Sequence, residues 1–270
     1  MPSLETGTQQ VGASLDDDGV LTVTLDRPGA RNALSLEMLE GLAAAVEAAR
    51  TRPAVRALLL TGAGPAFCAG GDVTLMAEGR SIFGEPDDPA GRTALQTELQ
   101  RRTVVALHDL PKPTVAAVNG PAVGAGLALA LACDVRLAAS TATLMTGFGR
   151  VGLAGDFGCS WLLHRLAGPA VARELLYGSA PLRADEARDR GLVNHVHPAE
   201  ELADRALRTA RAFARVPAPA AQVIAETAAL VPVLGFAEAC DRDAELHVRL
   251  TATPEHRAAV EEALRTLRNR

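Results

Sequence analysis

The sequence predicts an α/β fold in which strands and helices alternate over the first two thirds of the chain and helices alone fill the last quarter. Alternating, β-branched runs recur between helical runs up to about residue 155, and from residue 199 onward the periodicity is almost wholly helical. The composition agrees, because 48% hydrophobic and 22% charged residues over 270 positions are typical of a globular chain with a sizeable core.

The first predicted elements are a strand and a helix on either side of a short turn. Residues 1–12 are polar and are expected to form a loose tail, whereas residues 20–26 alternate and are β-branched, which predicts a strand. Ser35 is of the type that caps helices, and the apolar residues after it recur every three or four positions. We therefore expect a helix from Ser35 to about Arg50.

The same reasoning places the later elements. Residues 79–90 are rich in Gly, Pro and Asp, which predicts a loop, and Asp72 is expected to open a short helix before it. The predicted strands are 55–61, 114–118, 135–139, 143–145 and 193–196, and the predicted helices are 92–108, 124–133, 158–167, 170–177 and 184–190.

Composition also limits the partners and the compartment. A net charge of −5 and 3% aromatic residues argue against nucleic-acid binding. Residues 114–133 carry no charge and are long enough to span a bilayer, but Asn119, Pro121 and three glycines interrupt them, so a buried strand, loop and helix are expected and no membrane partner. Four cysteines without CxxC spacing, and no recognisable secretory leader, predict a cytoplasmic protein.

Two glycine-rich turns carry the chemical information. Residues 58–72 and 118–128 each follow a predicted strand and lead into a helix. Glycines let the backbone pass close to a ligand and leave amide N–H groups free at a helix start, so two such turns can direct two donors at one oxygen. Tight packing of strand on helix explains the glycines equally well. Neither turn has the GxGxxG spacing of a dinucleotide site.

These turns resemble the crotonase superfamily, which comprises the enoyl-CoA hydratases and isomerases. Residues 67–73 resemble the first oxyanion segment of the family, residues 112–126 the second, and residues 191–198 the strand that follows the active-site helices. The resemblance covers roughly residues 12–265 and implies a crotonase spiral of ββα turns.

The resemblance also implies a domain organisation and an assembly. The core spiral is expected over residues 12–198, and a C-terminal helical region that serves oligomerisation or acts as a lid is expected over residues 199–270. A homotrimer or a dimer of trimers is the expected assembly.

An acyl-CoA thioester is the implied substrate, with coenzyme A part of that substrate, no metal or redox cofactor, and a place in fatty acid metabolism. The backbone N–H groups of Ala69 and Ala125 would hold the thioester oxygen, where two aimed donors stabilise the charge of an enolate. The matching family segments imply further contacts with CoA or the substrate, from Arg27, Arg31, Ala33, Gly70, Gly71, Asp72 and Gly124. A surface salt bridge explains Arg27 or Arg31 equally well.

The chain departs from the hydratase pattern at both expected acids. Alignment on the second glycine turn places the first family glutamate at Ala128, and alignment on residues 150–155 places the second at Phe148. Asp156 remains nearby, in a segment that resembles the phenylacetate-pathway isomerases, where a single aspartate at the matching position is the acid/base residue. We therefore expect a double-bond shift in an enoyl-CoA, with Asp156 as the single acid/base. Hydration to a 3-hydroxyacyl-CoA and acyl-CoA binding without catalysis stay open as alternatives.

Each candidate acid or ligand also has a structural interpretation. Asp156 precedes a predicted helix and is of a type that caps helices, whereas an apolar pocket around Phe148, Phe157 and Trp161 would raise its pKa. Glu78 is a secondary candidate that can reach the pocket from a short helix.

The HxH pair formed by His195 and His197 has the alternation of metal ligands on one face of a strand. No third ligand lies nearby in the sequence. These histidines are therefore expected to be structural, and no metal site is predicted.

Overall fold

A six-stranded sheet forms the centre of the molecule in the computed structural model, which describes residues 4–85 and 87–268. Its first strand is antiparallel to the second, and the remaining neighbours are parallel. In sheet order the strands are β1 (Val11–Leu15), β2 (Val20–Leu25), β3 (Ala57–Gly62), β4 (Thr114–Val118), β6 (Val135–Ala139) and β9 (His195–His197). A second sheet contains β5 (Ala122–Val123), β7 (Thr143–Met145) and β8 (Leu182–Arg183).

Helices cover the sheets and fill the C-terminal part of the chain. A π-helical turn, Arg101–Val105, joins the third helix to the fourth. The helices are α1 (Leu36–Thr51), α2 (Val73–Ala77), α3 (Pro89–Gln100), α4 (Ala106–His108), α5 (Ala125–Leu131), α6 (Cys159–Gly178), α7 (Ala184–Asp189), α8 (Ala199–Ala214), α9 (Ala218–Leu230), α10 (Phe236–Thr251) and α11 (Pro254–Arg268).

Local sequence signals explain where several of these elements begin and bend. Ser35 caps α1 as predicted, because its side chain accepts a hydrogen bond from the Met38 N–H at 3.1 Å. Helix α6 is kinked at Gly168, which has a φ of 78°, and Pro169 follows it. That kink is the break predicted between residues 167 and 170.

The expected N-terminal tail is wrong from Val11 onward. Residues 11–15 form β1 and pair with β2 along their whole length. The connecting turn is fixed by Asp16, whose Oδ1 accepts a hydrogen bond from the Val20 N–H at 2.8 Å. The part of the tail at residues 1–3 lies outside the described residues. The last predicted strand is also displaced, since β9 spans His195–His197 rather than 193–196.

The parallel strands bring three loops to one edge of the large sheet. Strands β2, β3 and β4 are parallel and adjacent, so their carboxyl ends lie on the same side. The Arg27 turn follows β2, the first glycine-rich turn follows β3 and the second follows β4. Ligands of open parallel sheets bind at this edge, so the topology itself places the two glycine turns where a site is expected.

Helix α8 belongs to the layer that covers the sheet. It packs against β2, β3, β4, β6 and β9, and it buries Leu202, Ala206 and Ala210. The Arg211 Nε lies 2.8 Å from Asp16 Oδ2, which ties α8 to the turn between β1 and β2. Helix α8 therefore packs on the core sheet, and the boundary at residue 198 and the lid or oligomerisation role of residues 199–270 stay predictions.

The last three helices leave large apolar side chains exposed. Phe236 is 88% exposed, and Val248, Val260 and Leu267 are exposed on α10 and α11. Within residues 4–85 and 87–268, no single helix is both long and apolar enough to cross a bilayer. Helix α8 together with residues 218–233 passes the same length and composition test, but the pair is bent by 105°.

Candidate active site

The two glycine-rich turns are in direct contact. The Cys68 N–H donates to the Pro121 carbonyl at 3.1 Å, and the Val123 N–H donates to the Cys68 carbonyl at 2.9 Å. A Cβ atom added at Gly126 would lie 2.3 Å from the Cys68 carbonyl oxygen, and one at Gly70 would lie 2.4 Å from the Val123 carbonyl oxygen. The glycines are therefore required for this approach, and the two turns face each other.

One expected amide of the oxyanion pair is free, and the other is not. Ala125 is the first residue of α5, where N–H groups have no partner within the helix, and its N–H donates to no acceptor in the described part of the chain. The Ala69 N–H donates to the Arg31 carbonyl at 3.0 Å. The prediction of Ala69 as a donor to the substrate oxygen is therefore wrong.

Gly71 is in the position expected for the second donor. Its N–H makes no hydrogen bond within residues 4–85 and 87–268, and Gly71 lines the same cavity as Ala125, whereas Ala69 does not. The sequence signal for this was weak, because Gly71 directly precedes Asp72, the N-cap of α2, and so lies just outside the helical turn in which free amides concentrate.

A cavity of about 490 Å³ opens from the two turns toward α3 and the start of α6. Asp156 lines it together with Gly71, Asp72, Ala125 and Phe148. Burial raises the pKa of the Asp156 carboxyl to about 6. Its Oδ1 is buried and accepts no hydrogen bond from the described residues. The cavity thus holds two free amides and a carboxyl group that can exchange a proton near neutral pH.

The helix-capping interpretation of Asp156 is wrong. Gly158 is the N-cap of α6, and no side chain caps this helix. Asp156 lies in an unusual loop, since Gly155 has a φ of 138° and Phe157 has a φ of 48°, a left-handed conformation that non-glycine residues rarely adopt. The Gln100 Oε1 accepts a hydrogen bond from the Phe157 N–H at 2.8 Å and holds this loop in place.

The aromatic surroundings of Asp156 differ in one residue from the prediction. Phe148 and Phe157 are buried and line the cavity. Trp161 does not line the cavity and is 51% exposed. Its ring centroid lies 5.3 Å from that of His108 and 4.8 Å from the Arg165 guanidinium. Trp161 is therefore not part of the apolar environment that raises the pKa of Asp156.

Apolar residues occupy the two positions of the family glutamates, and only one of these residues lines the cavity. Ala128 is fully buried in α5 and does not line the cavity. Phe148 lies in a 3-10 turn, Phe148–Val151, and its ring carbons lie 3.5–3.6 Å from the position of a Cβ added at Gly124. Asp156 is accordingly the only carboxylate besides Asp72 that lines this cavity within the described ranges.

The expected CoA-binding segment is tied to the first glycine turn. The Arg27 Nη1 donates to the Ala33 carbonyl at 3.0 Å, and its Nη2 lies 3.4 Å from Asp72 Oδ2. Asp72 also caps α2, as predicted, by accepting from the Thr74 N–H at 3.1 Å. The Arg31 side chain is exposed and forms no hydrogen bond or ion pair in the described part of the chain. A CoA-binding role for Arg27, Arg31, Ala33, Gly70 and Gly124 stays a prediction.

Glu78 does not reach the cavity, contrary to the secondary expectation. Its side chain is 53% exposed and pairs with Arg80 at 3.1 Å. His195 and His197 lie on β9 with ring centroids 6.2 Å apart. Among the residues that the structure describes, no three His, Cys, Asp or Glu side chains come together in a way that could hold a metal ion.

Comparison with known proteins identifies the family. The family model "Enoyl-CoA hydratase/isomerase" matches residues 16–265, so the chain belongs to the enoyl-CoA hydratase/isomerase family, a family of enzymes with the crotonase fold. The 1,2-epoxyphenylacetyl-CoA isomerase of Escherichia coli K12 is 39% identical over 202 residues, which cover 74% of this chain and 75% of the relative.

Solved structures give the same fold. The enoyl-CoA hydratase of Polaromonas sp. JS666 superimposes with a TM-score of 0.85 at 30% identity and covers 95% of this chain and 97% of its own. The enoyl-CoA hydratase of Bacillus anthracis superimposes with a TM-score of 0.86 at 27% identity, covering 96% of this chain and 97% of its own. The predicted crotonase fold is confirmed.

Proposed function

We propose that this enzyme shifts the double bond of an enoyl-CoA, with Asp156 as its single acid/base. One observation carries the proposal. Asp156 is an unpartnered carboxyl group that lines the same cavity as the two free amides, while Ala128 and Phe148 occupy the positions of the two hydratase glutamates. A double-bond shift needs one group that takes and returns a proton, whereas the two-glutamate addition of water needs a second acid.

The chemistry follows from the positions of these groups. The Asp156 carboxylate takes a proton from the carbon next to the thioester of a 3-enoyl-CoA, and the electron pair moves onto the thioester oxygen as a dienolate. The N–H groups of Gly71 and Ala125 donate to that oxygen, and one such donor is typically worth about 3–4 kcal/mol of transition-state stabilisation. The Asp156 carboxyl then returns the proton at the fourth carbon, which gives the 2-enoyl-CoA.

The raised pKa fits this dual role. At neutral pH a group with a pKa of about 6 is mostly ionised and ready to act as a base, yet its conjugate acid is strong enough to return the proton. Because the base form is active, kcat/KM is expected to rise with pH through about 6 and then level off.

The experiment is turnover of a 3-enoyl-CoA in heavy water by the wild-type protein and by Asp156→Asn. The expected result is a 2-enoyl-CoA, which carries deuterium at the fourth carbon wherever the proton on Asp156 exchanges with solvent before it is returned, with turnover lowered at least 100-fold in Asp156→Asn. Asp204→Asn, on the exposed face of α8, is the matched control. Unchanged turnover in Asp156→Asn would eliminate the assignment of the acid/base.

Two other products would support different functions. A 3-hydroxyacyl-CoA would indicate a hydratase, the activity named for the Polaromonas and Bacillus anthracis structures. Binding of the thioester without exchange or product would indicate that catalysis has been lost. The Escherichia coli relative is named for isomerisation of 1,2-epoxyphenylacetyl-CoA, so this epoxide is the second substrate to test.

Assembly is part of the same proposal. The exposed apolar side chains on α10 and α11 support burial of this region against other copies of the chain in a trimer or a dimer of trimers. The measurement is the mass of the assembly in solution.

A further inference from the structure

One face of α3 carries three polar side chains toward the cavity. Arg92, Gln96 and Gln100 are spaced by four residues, so they lie above one another on the same face of the helix. Arg92 and Gln96 line the cavity, and all three side chains are partly buried. The Gln100 side chain accepts a hydrogen bond from the Phe157 N–H, next to Asp156. Arg92 and Gln96 lie farther along the cavity wall from Asp156.

Arg92 differs from the other charged residues of this cavity. Asp72 is paired with Arg27, and Arg80 is paired with Glu78. The Arg92 guanidinium forms no ion pair and donates no hydrogen bond within residues 4–85 and 87–268, and the Gln96 amide has no hydrogen-bond partner there either. A cavity wall therefore presents a cation and an amide whose hydrogen-bonding capacity the described residues leave unused.

The cation and the acid/base lie at separate places in the cavity. No salt bridge joins Arg92 to Asp156, and the pKa of Asp156 is raised by burial with no cation acting against it. Along an α-helix axis, eight residues span about 12 Å, so the backbone of Arg92 lies about that far from Gln100, whose side chain contacts the residue after Asp156. Apolar side chains of Ile82 and Phe83 also line the wall.

We propose that the acyl group of the substrate ends in a carboxylate, which Arg92 binds with Gln96 donating an additional hydrogen bond. The inference rests on the proposed function for the position of the thioester. An anion is favoured over a neutral oxygen, because a guanidinium binds a carboxylate through two parallel charge-assisted hydrogen bonds. Asp156 repels a carboxylate at the other end, so the pocket also fixes the direction in which such a chain enters.

The test uses binding of saturated acyl-CoAs, which needs no chemistry and is therefore independent of the double-bond shift. Dissociation constants are measured for chains of four to ten carbons that end in a methyl group and for the matching chains that end in a carboxylate. At one chain length we expect the wild-type protein to bind the carboxylate form about 10-fold or more tightly than the methyl form.

Arg92→Met is expected to lower the ratio of the two affinities at that length by about 10- to 100-fold, and Arg92→Lys by less, because an ammonium lacks the planar pair of donors. Arg101→Met is the matched control, since Arg101 is exposed on the adjoining helical turn and does not line the cavity. It should keep the wild-type ratio.

Two results would overturn the inference. One is equal binding of both series at every chain length. The other is an Arg92→Met variant that weakens both series equally, which would assign Arg92 to the coenzyme A portion. A protein that shows the carboxylate preference but no double-bond shift would retain this inference and refute the proposed function.

Discussion

The two ends of the candidate active site are built in different ways. At the glycine turns, the chemical groups are main-chain amides, and Gly70 and Gly126 are fixed by close backbone contacts with neighbouring carbonyls. At the start of α6, the chemical group is one side chain, Asp156, in a loop with left-handed residues and a single hydrogen bond from outside. In the proposed reaction, the hold on the thioester is therefore determined by backbone packing, while the proton transfer depends on one carboxyl group and its surroundings.

This difference separates two kinds of substitution. Changes at the glycine turns should act through geometry, so that any added atom disturbs the amides whatever its chemistry. Changes around Asp156 should act through electrostatics and leave the amides in place. Substitutions at the two ends test that separation.

Gly70→Ala should damage the backbone end most. The added Cβ would lie 2.4 Å from the Val123 carbonyl oxygen, at a φ of 77° that disfavours side chains, so the two turns must move apart. Displacing one oxyanion donor costs about 100-fold or more in kcat. The measurement is kcat together with thermal unfolding.

Gly178→Ala is the control for this variant, because nothing lies within 4 Å of the added atom at the end of α6. Equal kcat in Gly70→Ala and wild type would mean that the close approach of the turns is not needed for activity.

Asp156→Asn should stabilise the fold at neutral pH. Because the pKa of Asp156 rises from 3.8 to about 6 on folding, the unfolded chain ionises first, and wild-type stability falls as pH increases from about 4 to 6. The amide cannot ionise, so the gain in unfolding free energy should be near zero at pH 4 and reach up to about 3 kcal/mol above pH 6. Denaturant unfolding across this range is the measurement, and a gain that does not depend on pH would contradict it.

Gln100→Met should have the smallest effect, acting on Asp156 through the Phe157 amide. Losing the acceptor leaves that buried N–H unpaired, and a looser loop should lower kcat about 10-fold with KM unchanged. The pH midpoint of kcat/KM should also move, which a purely structural role would not produce. Gln100→Glu keeps an acceptor and should recover part of the loss, while Gln222→Met on the exposed face of α9 should match wild type.

Much of the fold could be predicted because its signals are local. The Ser35 cap, the alternation over residues 20–26 and the breaker pair at Gly168 and Pro169 each act within a few residues. Strand β1 was missed because its residues alternate weakly, and its pairing with β2 is what makes it a strand. The position of α8 on the sheet is likewise set by tertiary packing.

The site was predictable in its residue types and less so in its hydrogen bonds. Sequence motifs identified the two turns and Asp156, but not that the Ala69 amide is used by the Arg31 carbonyl, because that bond joins residues far apart in the chain. Gln100 lies 57 positions from Phe157 and had no motif of its own. Its only signal was the recurrence of polar residues every fourth position along the helix that contains Arg92 and Gln96.

The π-helical turn at Arg101–Val105 begins immediately after Gln100 and carries one more residue than an α-helical turn would. That insertion offsets the face of α3 from the residues that anchor the following segment in the core, such as Leu107. Removing a single residue from the turn would rotate the upstream helix by about 100° relative to those anchors. One extra residue in this turn therefore sets which side chains of α3 face the cavity.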